Sequence, residues 1–368
     1  MGSFRNSTVD AIARAAVALK AAIAGSASQE FSVAAAAVQT QAVSGSQLKD
    51  SLDIITNGCM RTNSRPTATL TSAGQYGSVD RFVASIGSGT GVSGTITRTT
   101  SVGSTKSGYA LLISAASWDA GGAVIVGQRI TSQHSSEAAG TITVAAKVYH
   151  DFGSAHNFCF SLYAADVKDV FTATTQIGTS SSTVSCSSGT YTEVTATFTG
   201  ISSAQAANGL FVQLQGTSGA AVSNKNVAVG DFRCAVGSLN IPMSLRPKVV
   251  NRLMCEEMYE TSFVEGTAPA QNVGTGFGEV ASVAVTAGAT TQRIPIRFKT
   301  AKFKIPTIIF YNPAATNAEM RDITGALDGS STGSSQISTL CMQVSCVGNA
   351  GTTIGNKLIV NYSADSEV

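Results

Sequence analysis

The 368-residue chain carries 24 Lys and Arg against 22 Asp and Glu, a net charge of +2, and only 12% of its residues are charged. That balance, with no basic stripe interleaved with aromatics, excludes nucleic acid as an expected partner, and the 43% apolar content excludes a disordered chain. So few charges would leave a monomer poorly protected from association, and much of the surface is expected to lie between subunits.

The length suffices for two or three domains, each with its own core. The abundance of Ala, Ser, Thr and Val, with 36 Gly against 7 Pro, favours sandwiches or barrels over α/β enzymes. No stretch approaches the roughly 20 apolar residues that span a bilayer, so no membrane partner is expected. The first predicted element is a helix from Thr8 to Ala24, with Val9, Ile12, Ala16, Leu19 and Ile23 at alternating spacings of three and four. Its apolar stripe is marginal alone and is expected to bundle with symmetry mates or plug into a neighbouring protein. Arg14 and Lys20 interrupt the run, which argues against a cleaved signal peptide.

A transition over residues 29–58 leads into frequent strand signals, among them "GYALLISA", "GGAVIVGQRI", "GTITVAAKVYH", "HNFCFSLYAA", "TYTEVTATFTGI" and "NGLFVQLQG". Each is short, several alternate in period two, and Gly, Ser or Asn bounds nearly all of them. Eight or so such strands before residue 240 fit a two-sheet jelly roll. A helix then starts at Arg246-Pro247, where proline at the first position loses no needed N–H. Val249 or Val250 with Leu253, Met254 and Met258 gives it one apolar face. Its charges run against the helix dipole: Arg246, Lys248 and Arg252 lead while Glu256, Glu257 and Glu260 trail, so partners outside the helix are expected. Beyond Gly266 a second β-unit follows, in which Ile294, Ile296 and Phe298 alternate with polar neighbours, and a Gly/Ser/Thr/Asn-rich loop is expected between Pro313 and Ser335.

Little here carries chemistry. His150, Asp151 and His156 fall close together, but Gly153 and Ser154 interrupt any shared strand face. Asp80, Asp119, Asp151 and Asp231 stand beside turns without the local acidic cluster that calcium needs, so neither metal nor cofactor is expected. The cysteines, Cys59, Cys159, Cys186, Cys234, Cys255, Cys341 and Cys346, show no paired spacing, and buried free thiols are expected. No nucleophile elbow or P-loop is present. Trp118 and Tyr109 are the candidates to stack on a sugar, against the plainer expectation that Trp118 fills the sandwich core.

Several landmarks in order resemble a family of tailed-bacteriophage and prophage proteins: "IITNGCMRTNSRP", "YGSVDRFVAS", "GTITVAAKVY", "VAVGDFRCAVGSLNIPMSLRPKVVNRLMCEEMYETSF" and the final "NYSADSEV". Cys59 stands where that family usually has Asn, and "TNSRP" replaces its usual Gln-Arg-Gly. The resemblance implies a jelly roll similar to carbohydrate-binding modules, and a non-enzymatic structural subunit of a virion, such as a fibre, spike or decoration protein.

The expected organisation is mainly β: an N-terminal helical attachment segment (1–58), a jelly-roll β-sandwich (59–240), a linker helix (241–265) and a C-terminal β-domain (266–368). The expected partners are copies of itself, as a homotrimer, and other virion proteins through the N-terminus. Val9, Ile12, Ala16, Leu19, Ile23, Lys248, Arg252 and Glu256 are the candidate assembly contacts. The alternatives are a module binding a host-surface glycan and a polysaccharide depolymerase.

Overall fold

The computed structural model describes residues 53–100, 105–276 and 278–368. The expected N-terminal helix, with Val9, Ile12, Ala16, Leu19 and Ile23, lies outside the described residues. What is described is mainly β, with a jelly-roll sandwich followed by a further set of antiparallel strands.

The sandwich has two sheets. One orders its strands Ala68–Thr69, Ser93–Thr99, Ala110–Trp118, Val222–Val236, Gly140–His150 and Thr192–Ile201. The other runs Val184–Cys186, His156–Val167, Leu210–Gly216, Ala123–Ile130, Val83–Gly87 and Gln75–Tyr76, with Val170–Gln176 added on His156–Val167. All pairings are antiparallel, and neighbours in space are mostly distant in sequence, as the crossovers of a jelly roll require. Period-two alternation turns one face of each sheet inward. Phe82, Leu111, Ile113, Val144, Phe160, Leu162, Leu210 and Phe232 meet there with essentially no exposed surface. Burying each such side chain is worth about 1.5–3 kcal/mol, which fixes register, since a one-residue slip would expose the whole set.

The opening segment closes the sandwich. Asn57 and Met60 both take left-handed backbone, with φ of 60° and 56°. Gly58 between them lies so close to the Val222–Val236 strand that a Cβ would sit 1.9 Å from the Phe232 carbonyl oxygen. Only glycine permits that approach.

The linker helix spans Lys248–Glu256, with Pro247 at its N-cap position. Its apolar residues do not all face the core. Asn251, Cys255 and Glu256 face inward with Met258, whereas Val249, Val250 and Leu253 are 67%, 43% and 47% exposed. The polar groups turn inward because partners from distant segments satisfy them, as described below.

After the helix, strand Lys357–Asp365 is the organising element: Tyr259–Thr261, Val280–Val283, Thr307–Tyr311 and Arg321–Asp322 all pair with it. A three-stranded sheet, Thr291–Arg297, Cys341–Val347 and Ser330–Ser335, carries the expected alternation, with Ile294, Ile296 and Phe298 buried against Met342, Val344, Val360 and Tyr362. The segment expected as a loop between Pro313 and Ser335 instead contains three short strands, Arg321–Asp322, Leu327–Asp328 and Ser330–Ser335. Side-chain bonds hold them where apolar burial is lacking: Asn312 donates to Asp328, and Glu319 accepts from the Ser331 and Thr332 amides. Sandwich, helix and C-terminal strands form one compact unit.

Candidate functional site

The segments that stand out in the sequence converge at the junction between the sandwich and the later strands. Asn57 donates to the carbonyls of Thr62 and Asp80, both at 2.9 Å, and its own Oδ1 accepts from Asn251 of the linker helix, which also donates to Thr62 Oγ1 at 2.8 Å. Arg246 donates to the carbonyls of Ile55 and Asp53. At the other side, Arg65 pairs with Asp365 at 2.8 Å, Arg81 with Glu367, and Arg129 donates to the Val368 carbonyl at 2.6 Å. These residues hold the parts of the molecule together.

Beside this junction opens a cleft of about 800 Å³, lined by the jelly roll (Arg61, Asn63, Arg98, Tyr109), the linker helix (Lys248, Arg252), the turn after it (Ser262 to Gly266) and Lys299. Five cations line it against one carboxylate, Glu265. The cations fall into two groups. Lys248 pairs with Glu265 at 3.2 Å, and Arg252 pairs with Glu256 at 2.8 Å and stands 4.0 Å from Glu265. Lys299 donates to the Thr261 carbonyl at 2.7 Å and lies 3.6 Å from Glu256. Two carboxylates thus serve three cations on this side, so one positive charge is left over. The hydrogen bond to Glu256, aided by the Glu256 and Glu265 charges and opposed by partial burial, holds Arg252 protonated even more firmly than an ordinary arginine.

Arg61 and Arg98 form the second group, and among the described residues no carboxylate stands within ion-pair distance of either. Arg98 donates to the Arg61 carbonyl at 2.8 Å and lies over the Tyr109 ring, 4.6 Å from its centroid. Arg61 reaches the Arg246 carbonyl at 3.5 Å. Tyr109 in turn packs on the main core. The ring therefore serves as a platform for a guanidinium, a use that stabilises the pair by about 0.5–1 kcal/mol.

The sequence-predicted site residues separate accordingly. Trp118 is 3% exposed and meets Phe152 edge-on at 5.8 Å in the core, so it has no face to offer a sugar. Tyr109 lines the cleft, but Arg98 already covers it. Lys248 and Arg252 also line the cleft, and with Glu256 they form ion pairs inside their own chain. His150 is fully buried, within hydrogen-bond distance of the Cys186 carbonyl at 3.0 Å, and its ring centroid lies 6.0 Å from that of His156. Asp80, Asp119, Asp151 and Asp231 each accept from a backbone amide, and among the described residues no group of three metal-binding side chains gathers. All seven cysteines are unpaired, and all but Cys341 are buried.

Sequence reasoning missed Arg61, Asn63, Arg98 and Lys299. They are scattered over nearly the whole described chain, and no local spacing joins them. The available signal was scarcity: with only 24 Lys and Arg, each arginine merited attention.

No family model matches the sequence, and no curated protein matches it. Solved structures with some likeness include a putative sugar binding protein from Bacteroides thetaiotaomicron, at 11% identity and a TM-score of 0.33, covering 50% of this chain and 100% of that one. Another is the xylan-binding domain from CBM 22, at 12% identity and a TM-score of 0.30, covering 49% and 99%. A third is the CBM22-1–GH10 portion of Clostridium thermocellum xylanase 10B complexed with xylohexaose, at 9% identity and a TM-score of 0.31; the match covers 53% of this chain but only 30% of that one.

Proposed function

We propose that this chain is a non-catalytic β-protein that binds a glycan in the cleft between its sandwich and its C-terminal strands. The cleft itself carries the reading. Its volume of about 800 Å³ suits a short oligosaccharide, and its walls are donors held in place by other protein bonds. Fixed donors need no ordering when hydroxyl-rich ligands arrive, which is where much binding energy is otherwise lost. Hydrolysis is not supported: a glycosidase needs two carboxyl groups about 5–10 Å apart across the bond, and the cleft is lined by Glu265 alone, already paired to Lys248. A glycan array probed with the full chain should give saturable binding to at least one saccharide without reducing-end release. An array with no saturable signal overturns the reading, and release of reducing ends would make the protein an enzyme.

A second reading is favoured by the outward apolar face of the linker helix. Val249, Val250 and Leu253 stand exposed in a chain with 12% charged residues, as expected of a subunit that buries this face in an assembly. Here the protein is a structural subunit of a tailed-phage virion, a homotrimer attached to other virion proteins through its N-terminal segment. The two readings are compatible, since a surface subunit can carry a glycan site.

A further inference from the structure

Resting on the glycan-binding reading, we infer that the cleft is specific for an acid-bearing saccharide, whose carboxylate or sulfate is read by Arg61 and Arg98. Five cations and one lining carboxylate make the cleft electropositive, but its excess charge is not evenly spread. Glu265 and Glu256 offset two of the three charges of Lys248, Arg252 and Lys299, all on the side of the helix and C-terminal strands, and each of those cations has a carboxylate within ion-pair distance. Arg61 and Arg98, on the sandwich side, have no such counter-charge among the described residues and are steered only by carbonyl oxygens and the Tyr109 ring. Both arginines are partly buried residues, and neither has an ionic partner among the described residues. An anionic oxygen supplies the missing partner, and the planar donor fork matches a carboxylate or sulfate in two-point contact.

Asn63 lines the same cleft, and its amide suits ring hydroxyls around that acid group. A nucleic acid fits less well. A phosphate-tracking groove combines a basic stripe with aromatic rings for base stacking, whereas of the two aromatic residues lining this cleft Tyr109 already carries Arg98 and Phe263 is buried against Tyr311.

The test is titration of the full chain with matched oligosaccharide pairs, a uronate against its methyl ester and a sulfated chain against its desulfated form. A single-stranded oligonucleotide is run beside them. The acidic member of at least one pair should bind on the order of tenfold tighter than its neutral partner, the loss expected when a charge-assisted bond is removed. The preferred pair tells carboxylate from sulfate. Arg98→Gln and Arg61→Gln should each abolish most of that preference, while Lys168→Gln, at an exposed cation that does not line the cleft, should keep it. Because Arg98 also packs on Tyr109, the salt dependence of the wild type provides a second readout that needs no variant: affinity for the acidic member should fall with rising salt and that for the neutral member should not. Equal binding within every pair, unchanged by salt, overturns the inference but leaves the glycan-binding reading standing. No saccharide binding at all, or tighter binding to the oligonucleotide, overturns both.

Discussion

Asp80 sits in the turn between the opening segment and the first long strand, with no exposed surface. Its Oδ2 accepts from the Ser64 amide at 3.0 Å, while Oδ1 makes no hydrogen bond to protein. Burial pushes its carboxyl up to about 6, with the Arg65 charge and the Ser64 bonds opposing and the Glu367 charge adding to the rise. The folded state therefore binds more protons than the unfolded chain between pH 4 and 6, and this group's contribution to stability falls as pH rises through that window. A rise of roughly two units corresponds to about 3 kcal/mol. Asp80→Asn, which can still accept the Ser64 bond, should remove the penalty: its stability relative to wild type should increase from pH 4 to pH 7 by a quantity of that order. Paired denaturant melts at the two pH values measure it, and a constant difference between the proteins would show that Asp80 does not titrate in the fold as described. The Arg65–Asp365 pair beside it works in the opposite direction. Asp365 is held below the usual carboxylate range by Arg65, against the effect of its own burial, so its contribution is lost as pH falls below the ordinary carboxylate pKa.

The linker helix shows what a single element takes from the rest of the chain. Its leading cations and trailing carboxylates each cost about 0.3–1 kcal/mol against the dipole, and tertiary partners offset this. Arg246 caps the carbonyls of the opening segment, Lys248 meets Glu265, and Glu256 meets Lys299. Just past the helix, Glu260 is fully buried, bonded to Lys302 at 2.6 Å, to the Tyr362 hydroxyl at 2.6 Å and to the Lys299 amide at 2.9 Å. Removing one member of such a pair strands a charge, at a cost of about 3–5 kcal/mol. Lys302→Met should therefore destabilise strongly, and Lys302→Met combined with Glu260→Gln should recover most of the loss. Equal destabilisation of the single and double variants in denaturant melts would show that the Glu260 charge was not what Lys302 satisfied. The reversed charge order was legible in the sequence, and so was the need for partners. The facing of the helix was not. The spacing marks an apolar face without saying what it faces, and Asn251 turns inward because its partners are Asn57 and Thr62, almost the whole sandwich away in sequence. Periodicity assumes that polar groups prefer water, and a residue with two buried partners does not.

At the scale of the molecule, strands could be read where one face is apolar: the alternation of Ile294, Ile296 and Phe298, and the short runs of the sandwich, follow from burial alone. The strands of residues 321–335 could not, because Asn, Asp, Glu and Thr side-chain bonds rather than an apolar face define them. The cleft was equally hidden, since its residues meet only once sandwich and C-terminal strands close on each other. What the sequence did suggest, through its low charge, is a surface meant to be covered, and the linker helix is where the structure offers one. Val249 and Leu253 are four residues apart, hence on one helix face, and neither contributes to a core. If a second and third copy cover this face, sedimentation of the full chain at micromolar concentration should show a trimer. Val249→Ser with Leu253→Ser should shift it towards monomer while the melting of a dilute, dissociated sample stays unchanged, because exposed side chains away from the core move stability by only about 0.5 kcal/mol. A wild type that sediments solely as monomer defeats the assembly reading outright. A trimer that survives both substitutions shows that the interface lies elsewhere, and the exposed helix then has to be explained by a different partner.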